Sequence, residues 1–253
     1  MAEGTPLILV SGMGADERLF DGQKAALPSV LAAHWIPVEP GDTLPSYARR
    51  LAAAVDPRGP CFLGGCSFGG MLALEMTRHL DARACFLIAT IRSPDEFPWW
   101  LRALEPFVAA LPGFSLGIPG RLVSLVLRVA NSRFSPARRS VLRQFADADG
   151  RHVRWAGLAA LRWKPTLGPI PCPVFQIHGD RDWLLPFRRT HPDLLVRGAG
   201  HLLPVTHPEA VNQFLRDHLS ETANAAACPA DGLVEPEANG DGETCPPSPL
   251  APD

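Results

Sequence analysis

The chain has 253 residues, 46 % of them hydrophobic, and a formal charge of −2, which is enough apolar mass to fill the core of one sizeable domain. The first apolar run, Leu7 to Val10, has no basic stretch before it and is too short for a signal peptide or a membrane span; with no longer run later, a soluble, cytoplasmic chain without membrane or nucleic-acid partners is expected. Six cysteines form no CxxC pair and no zinc-type spacing, so neither a metal nor a disulfide framework is indicated, and no cofactor is expected.

In chain order, short apolar runs predict strands at Leu7 to Val10, Ala33 to Val38, Cys61 to Gly64, Cys85 to Ala89, Val174 to His178 and Leu194 to Val196. Between them, apolar spacing predicts helices over Ser46 to Val55 and Phe68 to Leu80, and Pro208 opens a last helix to Leu219 at the position where proline is best tolerated. That alternation implies an α/β domain with a mostly parallel sheet flanked by helices. The first strand-to-helix turn carries no phosphate-binding glycine motif.

Two segments break the rhythm. From Arg92 to Lys164 no strand is evident, only helix-like pieces such as Leu122 to Val129 and Val153 to Trp163, so a helical insertion is expected. It carries twelve Lys or Arg against five acids, whereas residues 221 to 253 carry seven acids and no base. The latter segment is rich in Pro, Ala and Gly and poor in large apolar residues, a composition that does not repay the entropy of ordering; it predicts a disordered tail.

The stretch FLGGCSFGGM, Phe62 to Met71, sets four glycines around one serine, after a strand and before a helix. Glycine is required where a backbone turns without room for a Cβ or where another group approaches closely, so Ser67 is read as held up on a sharp turn. Gly65-Cys66-Ser67-Phe68-Gly69 fits G-x-S-x-G in the strand–turn–helix setting that gives the motif its meaning. The blander alternative is a glycine-rich turn with a helix-capping serine. A serine hydroxyl is a poor nucleophile until a base takes its proton, so an acid and a histidine should follow on later strand-end loops. Asp180 and Asp182 follow the fifth predicted strand, and His201 follows the sixth in the loose loop Gly198-Ala199-Gly200. Asp182, further along its loop, is favoured over Asp180, which is assigned a turn-capping or Arg181-pairing role. His178, His191, His207 and His218 are read as strand-end, capping or surface residues.

These motifs resemble the α/β-hydrolase fold family over residues 6 to 220. GGCSFGG resembles its nucleophile elbow, HGDRDWLLP its acid loop with Asp182 in the acid position, and GAGHLLPVTHPEAVNQFL its histidine loop. SGMGADERLF resembles the oxyanion loop, with Ser11 where histidine is usual; carried over, the Met13 and Phe68 amides would receive the oxyanion. The resemblance implies a core of residues 1–91 and 165–220 and a helical cap over 92–164. Within the cap, Phe97, Trp99, Trp100, Phe107 and Phe114 are equally well read as an acyl pocket or as packing. It further implies a cofactor-free serine hydrolase of carboxylic esters: Ser67 attacks, His201 moves the proton and Asp182 orients the imidazole. A thioesterase, a C–C hydrolase, a lactonase, a perhydrolase or a non-catalytic small-molecule receptor uses the same parts. The basic insertion suits an anionic acyl carrier, unless its arginines serve only to solvate helices.

Overall fold

The computed structural model describes residues 4–110 and 136–227. The expected helical piece Leu122 to Val129, Phe114 and the tail beyond residue 227 lie outside the described residues. Six strands form one parallel sheet: β1 (Leu7–Val10), β2 (Val30–Ala32), β3 (Cys61–Cys66), β4 (Ala82–Ile88), β5 (Val174–Gly179) and β6 (Leu194–Val196), in the order β2-β1-β3-β4-β5-β6. Strand order reverses between β1 and β3, and in open parallel sheets a crevice forms at the carboxyl ends of the strands at such a switch.

Both faces of the sheet are covered. Alternate residues feed two cores: Ile8, Val10, Leu63 and Leu87 pack with Tyr47, Leu51 and Leu72 on one side. Leu7, Leu9, Phe62, Phe86 and Ile88 pack with Val211, Phe214 and Leu215 on the other. Helix α1 (Asp21–Ala26) leads into β2. Helix α2 (Leu44–Val55) starts on a reciprocal Thr43–Ser46 capping box and buries Leu44, Tyr47, Ala48, Leu51 and Ala52, a stripe at helical spacing. Helix α3 (Phe68–Met76) is buried along its whole length, so it carries no polar stripe.

Among the described residues, four α-helices stand between β4 and β5: α4 (Trp99–Arg102), α5 (Glu105–Ala110), α6 (Pro136–Asp147) and α7 (Gly150–Leu161). Helix α7 packs against α2 and α3, and α5 packs against α7. After β6 come α8 (Leu203–Thr206) and α9 (Pro208–Ala227). No helix among the described residues is long and apolar enough to cross a membrane.

Several boundaries differ from expectation. The second strand is Val30–Ala32, not Ala33 to Val38. In that later segment the Ile36 N–H and C=O are both taken by the Tyr47 hydroxyl, at 3.1 and 2.8 Å, and Pro37 has no N–H to give a ladder. The helix after Ser67 ends at Met76, not Leu80; Arg78 and His79 donate three residues back, to Glu75 and Met76, which tightens the chain into a turn before β4. The last helix runs to Ala227, so residues 221–227 of the expected tail are helical, in keeping with the alanines of ETANAAA, strong helix formers.

Glu75 of α3 is 2 % exposed inside the apolar core. Its carboxylate accepts from Trp163 Nε1 at 2.8 Å, the Thr166 amide at 3.2 Å and Thr166 Oγ1 at 2.6 Å, tying the return from α7 to the helix behind Ser67. Replacing it by leucine strands one buried donor, Trp163 Nε1, at a cost of about 1–3 kcal/mol, and frees the two donors of Thr166, which is exposed and turns to water instead. Glu75→Leu is expected to lower unfolding free energy by about 1–3 kcal/mol, read from the urea midpoint; an unchanged midpoint would mean these bonds contribute little.

Candidate active site

The serine is held at the end of β3 in an uncommon backbone conformation, φ 54° and ψ −123°. For a residue with a Cβ this costs on the order of 1–3 kcal/mol and persists only where the surroundings impose it. Here they do so through the main chain: the Ser67 N–H donates to Ile88 O at 3.0 Å, and the Ser67 carbonyl accepts from Thr90 Oγ1 at 2.6 Å and the Gly70 N–H at 2.9 Å. The flanking glycines are required by close approach. A Cβ on Gly65 would lie 2.3 Å from Gly69 O, and one on Gly69 2.1 Å from Val10 O.

The residues singled out in sequence converge on this turn. His201 Nε2 lies 2.9 Å from Ser67 Oγ, and His201 Nδ1 lies 2.7 Å from Asp182 Oδ2. The carboxylate can only accept when ionised, so Nδ1 carries the hydrogen and the bare Nε2 is left to accept from the serine hydroxyl. Asp182 is buried and His201 only partly exposed. Burial alone would raise the Asp182 carboxyl, but hydrogen bonds from His178, His201 and the Leu185 amide hold it well below the usual carboxylate range. Asp180 stands apart and accepts from the Gly198 amide at 2.7 Å, a turn-capping contact between the two loops. Cys66, the residue before the serine, is buried; burial, with the charge of Asp182, pushes its thiol up, which keeps it protonated and unreactive.

The loop after β1 lies against the turn. A Cβ on Gly12 would be 3.4 Å from Cys66 O and 3.5 Å from Ser67 Cβ. The loop closes through Ala15 N–H to Gly12 O, and Ser11 Oγ donates to Ala15 O at 3.2 Å, so serine in the usual histidine position braces the loop from within. Trp35 Nε1 reaches the same Ala15 carbonyl at 2.7 Å, and the Asp16 N–H donates to Gln144 Oε1 at 3.1 Å on α6. Met13 sits at the loop's exposed crest, and Phe68 opens α3. The Ser67 side chain does not cap α3, leaving the helix's first amides without that acceptor.

Aromatics gather beside the turn, and none of Phe97, Trp99, Trp100 and Phe107 makes a ring contact among them. Phe97 is buried packing, Trp99 and Phe107 are 76 % and 69 % exposed, and Trp100 is half-buried. The cluster is instead Trp35, Tyr47, Phe68, His152 and Trp155, with Trp35 and Trp155 6.2 and 5.7 Å from the Phe68 ring. A cavity of about 710 Å3 opens next to it, between Gly14–Asp16, Trp35–Val38 and the Gln144 to His152 end of the helical insertion. Sequence reasoning missed Trp35, Thr90 and Gln144, which brace the turn and its loop through contacts with no local signature; His178 was placed only at a strand end.

A profile described as the alpha/beta hydrolase family matches residues 7–214. Among solved structures, the fold is similar to a thermophilic esterase from Thermogutta terrifontis at 20 % identity, TM-score 0.68, with 87 % of this chain and 90 % of that one covered. A hydrolase from Pseudomonas aeruginosa matches at 19 % identity, TM-score 0.62, covering 86 % and 91 %. A structure from work on carboxylesterases of the thaumarchaeon Nitrososphaera gargenis matches at 18 % identity, TM-score 0.63, covering 89 % and 93 %. No curated protein sequence matches the chain. The profile spans the sheet and both loops that meet at Ser67, and on it the chain belongs to the alpha/beta hydrolase family.

Proposed function

We propose that the chain is a serine hydrolase of carboxylic esters that works through an acyl-enzyme on Ser67. The observation that carries this reading is the continuous hydrogen-bonded series from buried Asp182 through His201 to a hydroxyl raised on a strained turn. Family membership and a fold shared with esterases support the reaction class. In this reading Ser67 Oγ adds to the ester carbonyl while His201 Nε2 takes its proton. The negative charge gathers on the former carbonyl oxygen, opposite the Met13 and Phe68 amides, each donor lowering the barrier by about 3 kcal/mol. Collapse breaks the acyl–oxygen bond, and His201 returns the proton to the departing alcohol. Water then adds to the acyl group by the same route, releasing the acid and restoring the Ser67 hydroxyl. Asp182 balances the imidazolium without taking its proton. Helices α4–α7 act as the cap: α6 and α7 lie against the loop that carries Met13, where a Cβ on Gly14 would meet the Phe145 ring and one on Gly157 would lie 3.8 Å from Met13 Sδ.

The test is rapid mixing with a chromogenic acyl ester, followed by mass analysis. A burst of chromophore equal to the enzyme present, and one acyl mass on the peptide carrying Ser67, are expected. Turnover with no burst and no adduct on that peptide, under conditions where deacylation is slowed, refutes the acyl-enzyme. Binding without turnover across esters and thioesters of graded length assigns a receptor.

A further inference from the structure

Asp182 is held by a second imidazole besides that of His201. His178, next to last in β5, has a fully buried side chain whose Nε2 lies 2.7 Å from Leu185 O and 3.2 Å from Asp182 Oδ2. Both neighbours are acceptors, so Nε2 carries a hydrogen, directed at Leu185 O with Asp182 Oδ2 as the longer, second contact. Nδ1 is buried and has no hydrogen-bond partner among the described residues, so a hydrogen there would be left without an acceptor. The contacts therefore fix one tautomer, neutral, with Nε2–H and a bare Nδ1.

The two oxygens of Asp182 are held differently. Oδ1 accepts the Leu184 and Leu185 amides, both at 3.0 Å. Those two bonds restrain the carboxylate through one oxygen only, and the residual rotation about Cβ–Cγ that they allow also carries Oδ2. Oδ2, the oxygen facing His201 Nδ1, is held from the protein side by His178 alone among the described residues. Because the same N–H also takes Leu185 O, it ties the carboxylate to the turn that presents it.

We propose that His178 is a positioning residue: its neutral Nε2–H sets the plane of the Asp182 carboxylate so that Oδ2 meets His201 Nδ1 in line. It touches neither substrate nor Ser67, and acts through Asp182. The proposal rests on the serine-hydrolase reading for its effect on rate, whereas the tautomer and the contact of His178 Nε2 with Asp182 stand without it. An imidazole that merely filled space could be replaced by any side chain of like volume. A positioning imidazole needs an N–H donor at Nε2, which glutamine supplies with its own Nε2 and leucine does not.

Three measurements decide it. First, the imidazole 15N–1H spectrum of the wild-type protein at neutral pH is expected to give His178 as the Nε2–H tautomer; an Nδ1–H tautomer or an imidazolium overturns the proposal without any variant. Second, His178→Leu is expected to lower kcat for a simple ester by on the order of ten- to a hundredfold with KM changed less than about threefold, because sub-ångström errors in the base are felt in the chemical step. It is also expected to shift the downfield proton resonance of the His201–Asp182 bond. Third, His178→Gln is expected to recover kcat to at least about a third of wild type and to restore that resonance. Equal losses in the two variants, a loss carried by KM, or wild-type kcat in His178→Leu each overturn positioning. Should His178→Leu fail to fold, His178→Gln and the wild-type spectrum decide alone: low kcat in a folded glutamine variant overturns it. Failure of the hydrolase reading looks different, since Ser67→Ala would then keep its activity while the spectrum still reports the tautomer.

Discussion

Ser67→Ala is expected to lower kcat/KM for a carboxylic ester by about 10⁴-fold or more while leaving the fold and its stability essentially unchanged. The two halves of that expectation have separate causes. The turn is held by main-chain bonds to Ile88, Thr90 and Gly70 and by the contact of Gly65 with Gly69, none of which involves the hydroxyl. Alanine meets the same positive φ with a Cβ of the same kind, so backbone strain is carried over unaltered. The hydroxyl's sole protein partner among the described residues is His201 Nε2, and losing it removes the nucleophile and nothing else. Residual rate would come from the amides near the turn acting on a water-driven reaction. Activity within tenfold of wild type, in protein free of contaminating esterase, removes Ser67 from the mechanism.

Asp182→Asn is expected to cost a comparable factor, about 10⁴ in kcat, whereas Asp180→Asn stays within a few-fold. In the asparagine variant, Oδ1 is kept by the Leu184 and Leu185 amides, so the new amide nitrogen takes the place of Oδ2. It would face two N–H donors, His178 Nε2 and His201 Nδ1. Two donors opposed favour the His201 tautomer with hydrogen on Nε2, which cannot take the serine proton. Among the described residues, Asp180 has only the Gly198 amide to lose. The reverse ranking of the two variants would move the acid's role to Asp180. Stability gives an independent reading with a definite sign. Because the folded protein holds the Asp182 carboxyl below its ordinary value, its charge stabilises the fold above roughly pH 4, and that contribution drains as pH falls through the folded value. Asparagine has no such contribution, so the stability gap between wild type and Asp182→Asn should narrow between about pH 5 and about pH 2.5. A gap independent of pH would mean the carboxylate is not held charged.

What could be read in advance depended on how local the cause was. The elbow was legible because ten consecutive residues contain the strand, the turn glycines and the helix start, and the demand for glycine comes from their own backbone crowding. His201 and Asp182 were legible by their order after strand-like runs, and Asp180 was separable from Asp182 only by position in a loop. The second strand was misjudged because WIPV is as apolar as a strand, while the reason it is not one, a tyrosine hydroxyl eleven residues away, has no sequence signature. The aromatics by the turn were missed for the same reason: Trp35 and Trp155 come from different elements. The ion pairs of residues 92–164 lie both within the segment and across its ends. Arg92 pairs with Asp193, outside the segment, while Arg102 and Arg162 pair with Asp95 and Glu105 within it. Pairs inside the segment leave its surplus of bases over acids as it was, and the Arg92–Asp193 pair is offset by Asp147, which pairs with Arg18 outside.

The strained serine and the base that would use it are separated by 134 residues of chain. Everything that bends the backbone at Ser67, from Val10 to Thr90, is made first during synthesis, around β1, β3 and β4, whose two cores are completed by Trp163, Val211 and Phe214 from later in the chain. The partner strands β5 and β6, with the two loops that bring Asp182 and His201, emerge only after the helical insertion. On the proposed mechanism a nascent chain therefore carries the elbow sequence long before it carries a base, and ester turnover on a translating or refolding chain is expected only once the last two strands, with Asp182 and His201, have docked.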